Sequence, residues 1–429
     1  MQMAAGCLSQ ARLTGQGASP PIRSTSRSGL GVDVDIAIPV IVCQADARHI
    51  PLPDESVQCV VSSPPYWNLR SYGIGTDNGE IGLEPTPELY VEHLVEVFRE
   101  VRRVCRHDAT VWVNLGDSFQ DKQLVGIPWR VAFALQADGW WLRSDIVWHK
   151  PNPMPESVTD RPTKAHEYLF LLTKSARYYW DQEAVREQAL WNNPEALKIN
   201  AQARQKARLM ERGAICVQQE VGGYHFVGPR DGKGRNSIGK GEQTLSMNPA
   251  GRNIRSVWTI ATTPFSGAHF ATMPPDLVEP CIKAGSSERG ACPQCQAPWE
   301  RVVEIGKVTS TGGSKTGARA RNMKTISPLG QDPTKSAYNT GEMNAHEHHT
   351  LGWRPTCSCD AGEPVPCMCL DPFGGSGTVG LVAMQLGRRA LLVELSESYC
   401  HEIAWPRLHP GVTNFVEGEP LEALPMFAK

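Results

Sequence analysis

Short, wholly apolar runs alternate along this chain with amphipathic stretches, and that alternation restricts its fold more than any other feature. Residues 39–46 (PVIVCQAD) and 57–63 (VQCVVSS) are bounded by turn formers, as buried parallel strands are. Residues 88–105 place Leu89, Leu94, Val97, Val101 and Val104 near one helical face. A strand is expected at 109–115, a helix at 127–138, and strands at 144–148 and 167–173. Order returns at the C-terminus, with a strand at 365–370, a glycine loop, a helix at 378–387, a strand at 389–394 and a helix at 397–408. This pattern predicts an α/β fold with a largely parallel sheet.

From about 185 to 265 the pattern dissolves into basic, Gly- and Asn-rich sequence, with a helix expected near 194–211. Residues 305–350 are Ser/Thr/Gly-rich and nearly free of apolar residues, so they read as an exposed insertion. A formal net charge of -2 over 429 residues says little about partners. Its distribution says more: residues 198–255 hold eleven Lys/Arg against four Asp/Glu, and 301–335 hold seven against two. Such stretches attract phosphate backbones, although solvated loops share the composition. No window approaches the roughly 18 uninterrupted apolar residues of a membrane helix. Residues 1–32 contain no acid and three arginines, and 1–35 read as a disordered leader with a faint likeness to a transit peptide. Most of the thirteen cysteines read as a reduced, cytoplasmic set.

Asp371-Pro372-Phe373-Gly-Gly375-Ser376-Gly377-Thr378 lies between a predicted strand and a predicted helix. Glycines there let the backbone approach a ligand, and the helix N-terminus offers free N–H groups. Gly375, Gly377 and Gly380 also satisfy GxGxxG, so a nicotinamide-dependent oxidoreductase competes for this motif. Glu394 ends the next strand, where either a dinucleotide or an adenosylmethionine ribose would want a carboxylate.

Ser63-Pro64-Pro65-Tyr66 follows the strand VQCVVS. Two consecutive prolines lack donors and fix φ, so they hold a rigid carbonyl at the sheet's C-terminal edge, where open α/β sheets bind ligands. The Ser63 hydroxyl and a Pro carbonyl can accept hydrogen bonds from an NH₂ group while Tyr66 stacks on a base. A base reaches such a turn only when flipped out of the duplex or already single-stranded.

Together the two motifs resemble the amino-DNA methyltransferases, which act on cytosine N4 or adenine N6. In that family a DPPY or SPPY tetrapeptide serves the target base, and an FxGxG loop, here Phe373, Gly375 and Gly377, holds S-adenosyl-L-methionine. The order, SPPY before a basic middle region and then the glycine loop, is similar to the permuted β group. The resemblance therefore implies a Rossmann-like, circularly permuted sheet with an inserted target-recognition region. It extends over most of 39–187 and 253–408, and it implies that Asp46 lies near the cofactor or target pocket. Ser63 at the first motif position resembles the cytosine-N4 enzymes, with adenine N6 as the alternative. Cytosine C5 chemistry needs a nucleophilic Cys, and the Pro-Cys pairs at Cys281 and Cys367 fall in a predicted helix and strand.

Cys292-Pro-Gln-Cys295 is a knuckle of metal-binding type, and Cys357-Ser-Cys359 follows the polar insertion. Four thiolates suffice for a closed tetrahedral zinc site, with reduced buried thiols as the alternative. Related methyltransferases carry a similar pair of motifs here, so the resemblance implies structural zinc that pins the insertion beside the DNA groove. His346, His348 and His349 read as a solvated loop rather than as ligands.

The resulting division is a leader (1–35), the SPPY-bearing half of the methyltransferase domain (36–187), a basic target-recognition region (188–255), a cofactor-side segment (256–290), the Cys knuckle with its insertion (291–360), and the glycine-loop half (361–429). Arg230, Arg235 and Arg252 are candidates for reading guanine or adenine edges. The expected partners are double-stranded DNA and a cognate restriction endonuclease, with no membrane, in a bacterial or phage setting. A zinc-containing DNA-binding protein without catalysis is the remaining alternative.

Overall fold

Strands and helices alternate as the apolar runs require. In the computed structural model the described residues are 40–76, 79–187, 215–218, 224–227, 252–263, 272–306, 348–360 and 362–409. In chain order they form β1 (Val40–Gln44), β2 (Val57–Ser62), α1 (Pro87–Val104), β3 (Cys105–Leu115), β4 (Phe119–Gln120), β5 (Gln123–Leu124), α2 (Ile127–Ala137), β6 (Trp141–His149) and β7 (His166–Thr173). There follow β8 (Ile215–Gln218), β9 (Tyr224–Val227), β10 (Val257–Thr259), α3 (Pro275–Gly285), β11 (Trp299–Ile305), β12 (His348–Pro355), β13 (Met368–Asp371), α4 (Thr378–Gln385) and β14 (Arg389–Glu394). A π-helical turn, Tyr399–Ala404, then runs into a short α-helix, Trp405–Leu408. The helix expected near 194–211 and the leader lie outside the described residues.

The chain forms two units, Met1–Val185 with Arg255–Arg301 and Trp353–Lys429, and Arg186–Ile254 with Val302–Gly352. In the second, β8 and β9 pair antiparallel, and Glu187 and Arg252 pair through their backbones and side chains. The Arg252 guanidinium, a candidate base reader, is thus engaged by the Glu187 carboxylate at 2.8 Å. Arg230 and Arg235 lie outside the described residues.

An eight-stranded sheet in the order β1-β14-β13-β2-β3-β7-β6-β10 organises the first unit. The two C-terminal strands are inserted between β1 and β2, all in parallel. Strand β7 departs from the parallel expectation, running antiparallel to both β3 and β6. The link from β6 to β7 explains this: residues 150–165 carry four prolines and no helix, whereas a parallel neighbour needs a crossover. Strands β2 and β13 are buried throughout, as their unbroken apolar sequences require.

Helix α1 starts where Thr86 accepts the Leu89 N–H and Pro87 enters the first turn. Its buried face is Tyr90, Leu94, Val97, Phe98, Val101 and Val104, with Leu89 only partly covered. The two aromatic rings take the core positions, each burial contributing roughly 1.5–3 kcal/mol. Strand β13 begins at Met368 rather than 365, because Val365 pairs with Ala291 and Pro366 has no N–H for the ladder. The expected helix at 397–408 is interrupted for a similar reason: Pro406 cannot donate inside it.

Candidate active site

The pairing of β13 with β2, Cys369 opposite Cys59 and Leu370 opposite Val60, puts the two motif turns side by side. Asp371 joins them. Its Oδ1 accepts from the Ser62 hydroxyl at 2.8 Å and from the Phe373 N–H at 3.0 Å. Asp371 is buried, which pushes its carboxyl up to about 8, and its two bonds tie the turns together.

Beyond those turns lies a cleft of about 670 Å³, open on one side to solvent. Asp46 enters it from β1, Ser63 and Pro65 from β2, Pro372, Phe373 and Gly375 from β13, and Glu394 from β14. Pro64, Tyr66, Asp371, Ser376, Gly377 and Thr378 are not among the lining residues. Ser376 and Thr378 are buried, and Arg407 donates to both hydroxyls at 2.9 Å, so they fasten the loop from behind. Gly377 caps α4 with φ 78°, a left-handed conformation that a side chain would strain.

Tyr72, Glu80 and Tyr399 also line the cleft, and motif reasoning did not find them. The Tyr72 and Tyr399 rings meet edge to face at 5.9 Å. The buried Glu80 carboxylate gathers the N–H groups of Tyr72 (2.5 Å), Ile74 (2.9 Å) and Gly75 (2.6 Å). The available signal was an acid at the end of a glycine-rich stretch, GIGTDNGE.

The cleft is acidic. Asp46, Glu80 and Glu394 line it, and among the described residues no Lys or Arg does. Burial alone would raise the Asp46 carboxyl, but hydrogen bonds and charge from Arg48 hold it below the usual range. Burial holds Glu394 above it, against N–H donation from Gly375 (2.7 Å) and Ser396 (2.8 Å). Two consequences separate the candidate ligands. The Gly375 N–H is spent on Glu394 instead of waiting for a pyrophosphate, and a pyrophosphate would meet like charge. A sulfonium nucleoside meets opposite charge and apolar walls, so the residues fit S-adenosylmethionine better than a dinucleotide.

Beside Ser63, the hydroxyl of Tyr66 is enclosed in a polar cluster. It donates to Glu167 Oε2 at 2.7 Å and accepts from Asn114 Nδ2 at 2.7 Å and from Ser63 Oγ at 3.3 Å. Asn114 Nδ2 also donates to Glu167 Oε2 at 2.8 Å, and Lys150 pairs with the other carboxylate oxygen. The Tyr66 ring lies across Gly116, where a Cβ would sit 2.4 Å from its Cε2. The Pro65 carbonyl is taken by the Tyr90 hydroxyl at 2.8 Å. The Pro-Cys thiols are remote from this chemistry: Cys281 and Cys367 are fully buried, and burial pushes the first well above the usual thiol range and the second to about 11.

The Sγ atoms of Cys292, Cys295, Cys357 and Cys359 all lie within 4.8 Å of one another. Tetrahedral thiolates with metal–sulfur bonds of about 2.3 Å fit that spacing. The thiols influence one another: burial would raise Cys292, but N–H donation and neighbouring thiols bring it down to about 7, whereas hydrogen bonding with Cys295 pushes Cys359 up to about 12, so it is the spacing that fits a metal. Among the described residues no histidine joins the cluster. Gln58 and Arg389 hold Gln296 at 3.0 and 3.3 Å, and Arg106 donates to the Cys295 carbonyl. Those three residues start β2, β14 and β3, so the cluster packs at the strands' N-terminal edge, about 20 Å from the cleft edge across a six-residue strand.

The comparisons agree with this geometry. A family model described as DNA methylase, covering N6 and N4 enzymes, matches residues 57–292 and 367–404. Type II methyltransferase M.Cfr9I of Citrobacter freundii is 40% identical over 264 residues, covering 55% of this chain and 68% of that protein. Type II methyltransferase M.SmaI of Serratia marcescens is 36% identical over 280 residues, 58% and 76% of the two chains. Type II methyltransferase M.SfiI of Streptomyces fimbriatus is 32% identical over 372 residues, 81% and 86%. No described helix is long and apolar enough to cross a membrane. Both motif turns and all of the cleft lining except Ala45, Asp46 and Ala47 fall within the matched residues, and the chain belongs to the amino-DNA methyltransferase family, site-specific enzymes that use S-adenosylmethionine to methylate DNA at cytosine N4 or adenine N6.

Proposed function

We propose that this enzyme methylates cytosine N4 in double-stranded DNA through a circularly permuted methyltransferase fold. The observation that carries the reading is the cleft lined together by Ser63 and Pro65 and by Phe373, Gly375 and Glu394. S-adenosylmethionine, when bound there, supplies an electrophilic methyl group on a positively charged sulfur. Glu394 accepts from its ribose, Gly375 and Phe373 admit it closely, and Asp46 and Glu80 complement its charge. Pro372, Ser376, Gly377 and Thr378 keep the loop in shape, with Asp371 anchoring it to β2.

On the target side, Ser63 Oγ and the Pro64 carbonyl accept the two amine hydrogens of a base flipped out of the duplex. Tyr66 provides an aromatic face, and Pro65 keeps the turn rigid. Held this way, the amine nitrogen would use its lone pair to bond the methyl carbon as the sulfur–methyl bond breaks, leaving a neutral thioether and losing one amine proton to solvent, so no covalent enzyme intermediate is needed. Positioning and electrostatics carry the rate. Ser63 at the first position of the motif, which resembles the cytosine-N4 enzymes, supports cytosine N4 over adenine N6. The basic segments 198–255 and 301–335 serve target recognition, the four-cysteine cluster holds a structural zinc, and a cognate restriction endonuclease is the functional partner.

Expression in a methylation-deficient bacterial host, followed by modification-sensitive single-molecule sequencing, tests this reading. A short motif carrying N4-methylcytosine is expected. N6-methyladenine at such a motif overturns the choice of base, and unmodified DNA from soluble, cofactor-binding protein overturns the DNA substrate.

A further inference from the structure

The cluster behind the SPPY turn has a fixed direction of hydrogen bonding, and nothing in the reaction as described uses it. Glu167 sits at its centre, with its side chain 15% exposed and its Lys150 partner's 17%. An ionised carboxylate only accepts, and an ammonium only donates. Lys150 occupies Oε1, while Asn114 Nδ2 and the Tyr66 hydroxyl both donate to Oε2. The Tyr66 proton is therefore committed to Glu167. Burial, reinforced by the Glu167 charge, holds the Tyr66 hydroxyl well above its ordinary range, so it keeps that proton. The remaining capacity of the Tyr66 oxygen is acceptor capacity, filled by Asn114 at 2.7 Å and Ser63 at 3.3 Å. Ser63 thus spends its only proton on Tyr66, and its free lone pairs are what it offers the cleft it lines.

We infer that Glu167 is a positioning residue that sets the polarity of the Glu167–Tyr66–Ser63 chain, making Ser63 an acceptor for the target amine. The inference rests on the role proposed above for Ser63 and extends it to a residue on β7 that touches neither substrate nor cofactor. Glutamine shows why the charge matters. In Glu167→Gln, the amide oxygen must face donor-only Lys150, which turns the amide NH₂ toward Tyr66. Tyr66 then accepts from residue 167 and gives its proton to Ser63. Ser63 in turn points a hydrogen into the cleft, where the amine also brings hydrogens. The shape is unchanged and the polarity is reversed.

The test is a double-mutant cycle on turnover with Ser63→Ala and Glu167→Gln, alongside cofactor affinity and melting temperature. Glu167→Gln is expected to lower kcat roughly 10–100-fold with cofactor Kd and melting temperature nearly unchanged, by analogy with loss of one oriented hydrogen bond. Added to Ser63→Ala it should cost less than about twofold more, because both act through one hydroxyl. Full additivity on a slow Ser63→Ala background overturns the role of Glu167 and leaves that of Ser63 standing. Full turnover in Ser63→Ala overturns the acceptor role itself. Should Glu167→Gln fail to fold, Tyr66→Phe breaks the same chain without disturbing the Glu167–Lys150 charge pair, and its non-additivity with Ser63→Ala decides the matter in the same way.

Discussion

At their C-terminal ends β1, β2, β13 and β14 deliver Asp46, Ser63, Phe373 and Glu394 into an open, acidic cleft. At the N-terminal ends of β2, β3 and β14, Gln58, Arg106 and Arg389 grip the segment that carries Cys292 and Cys295. At the C-terminal edge Arg48 and backbone N–H groups fix Asp46, Glu80 and Glu394 in place, yet all three line the open cleft and present their charge to a ligand. The N-terminal edge closes its donors and acceptors among protein groups, as a structural fastening does. On the function proposed above one sheet separates turnover from stability, and changes at each edge should register in different measurements.

The largest expected effect is on turnover. Tyr66→Ala removes both the aromatic face and the middle of the hydrogen-bond chain, and should lower kcat roughly 100-fold or more. Isothermal titration should find cofactor affinity largely unchanged, since Tyr66 does not line the cofactor cleft. Equal loss of both would remove the distinction between the two walls of the site. At the other edge, chelation or Cys292→Ser with Cys357→Ser should lower the melting temperature by roughly 10 °C. Turnover per folded molecule should hold; a selective loss of turnover would break the separation.

Two smaller effects sharpen it. Glu394→Gln keeps an acceptor for one of two backbone N–H groups and loses the charge, so cofactor affinity should weaken about tenfold, near 1.4 kcal/mol. Asp371→Asn should act through pH. Both donors to Asp371 reach the same oxygen, which asparagine preserves. The carboxyl sits at about 8 when folded against the 3.8 of an ordinary aspartate, so the folded state binds the proton more tightly. Wild-type stability therefore falls as pH rises from about 4 to 8. The melting-temperature advantage of the variant should be near zero at pH 4 and largest above 8; a flat difference would sink this assignment.

Much of this was readable from residue order. Apolar runs of strand length marked every main-sheet strand except β10, whose three residues are too few for a periodic signal. SPPY and the glycine loop identified the walls of the cleft because Pro and Gly impose backbone constraints that remain local. The cysteine spacing likewise marked a cluster that the fold assembles. Spacing could not reveal the location of that cluster at the edge opposite the chemistry.

Glu167 and Asn114 were invisible for a different reason. Each is a single polar residue in an unremarkable local pattern, and its role comes from partners up to 101 positions away, as between Tyr66 and Glu167. The reversal of β7 places Glu167 behind the SPPY turn, and that reversal depends on sheet pairing rather than propensity. Residue order alone therefore determined the strand–helix alternation, the two motif turns and the family, because short-range covalent and packing rules act within a few residues. Tertiary structure alone decided which carboxylates share the cleft, which way its hydrogen bonds run and which edge carries the metal-type cluster, because those depend on charges and donors that meet only when distant strands pair.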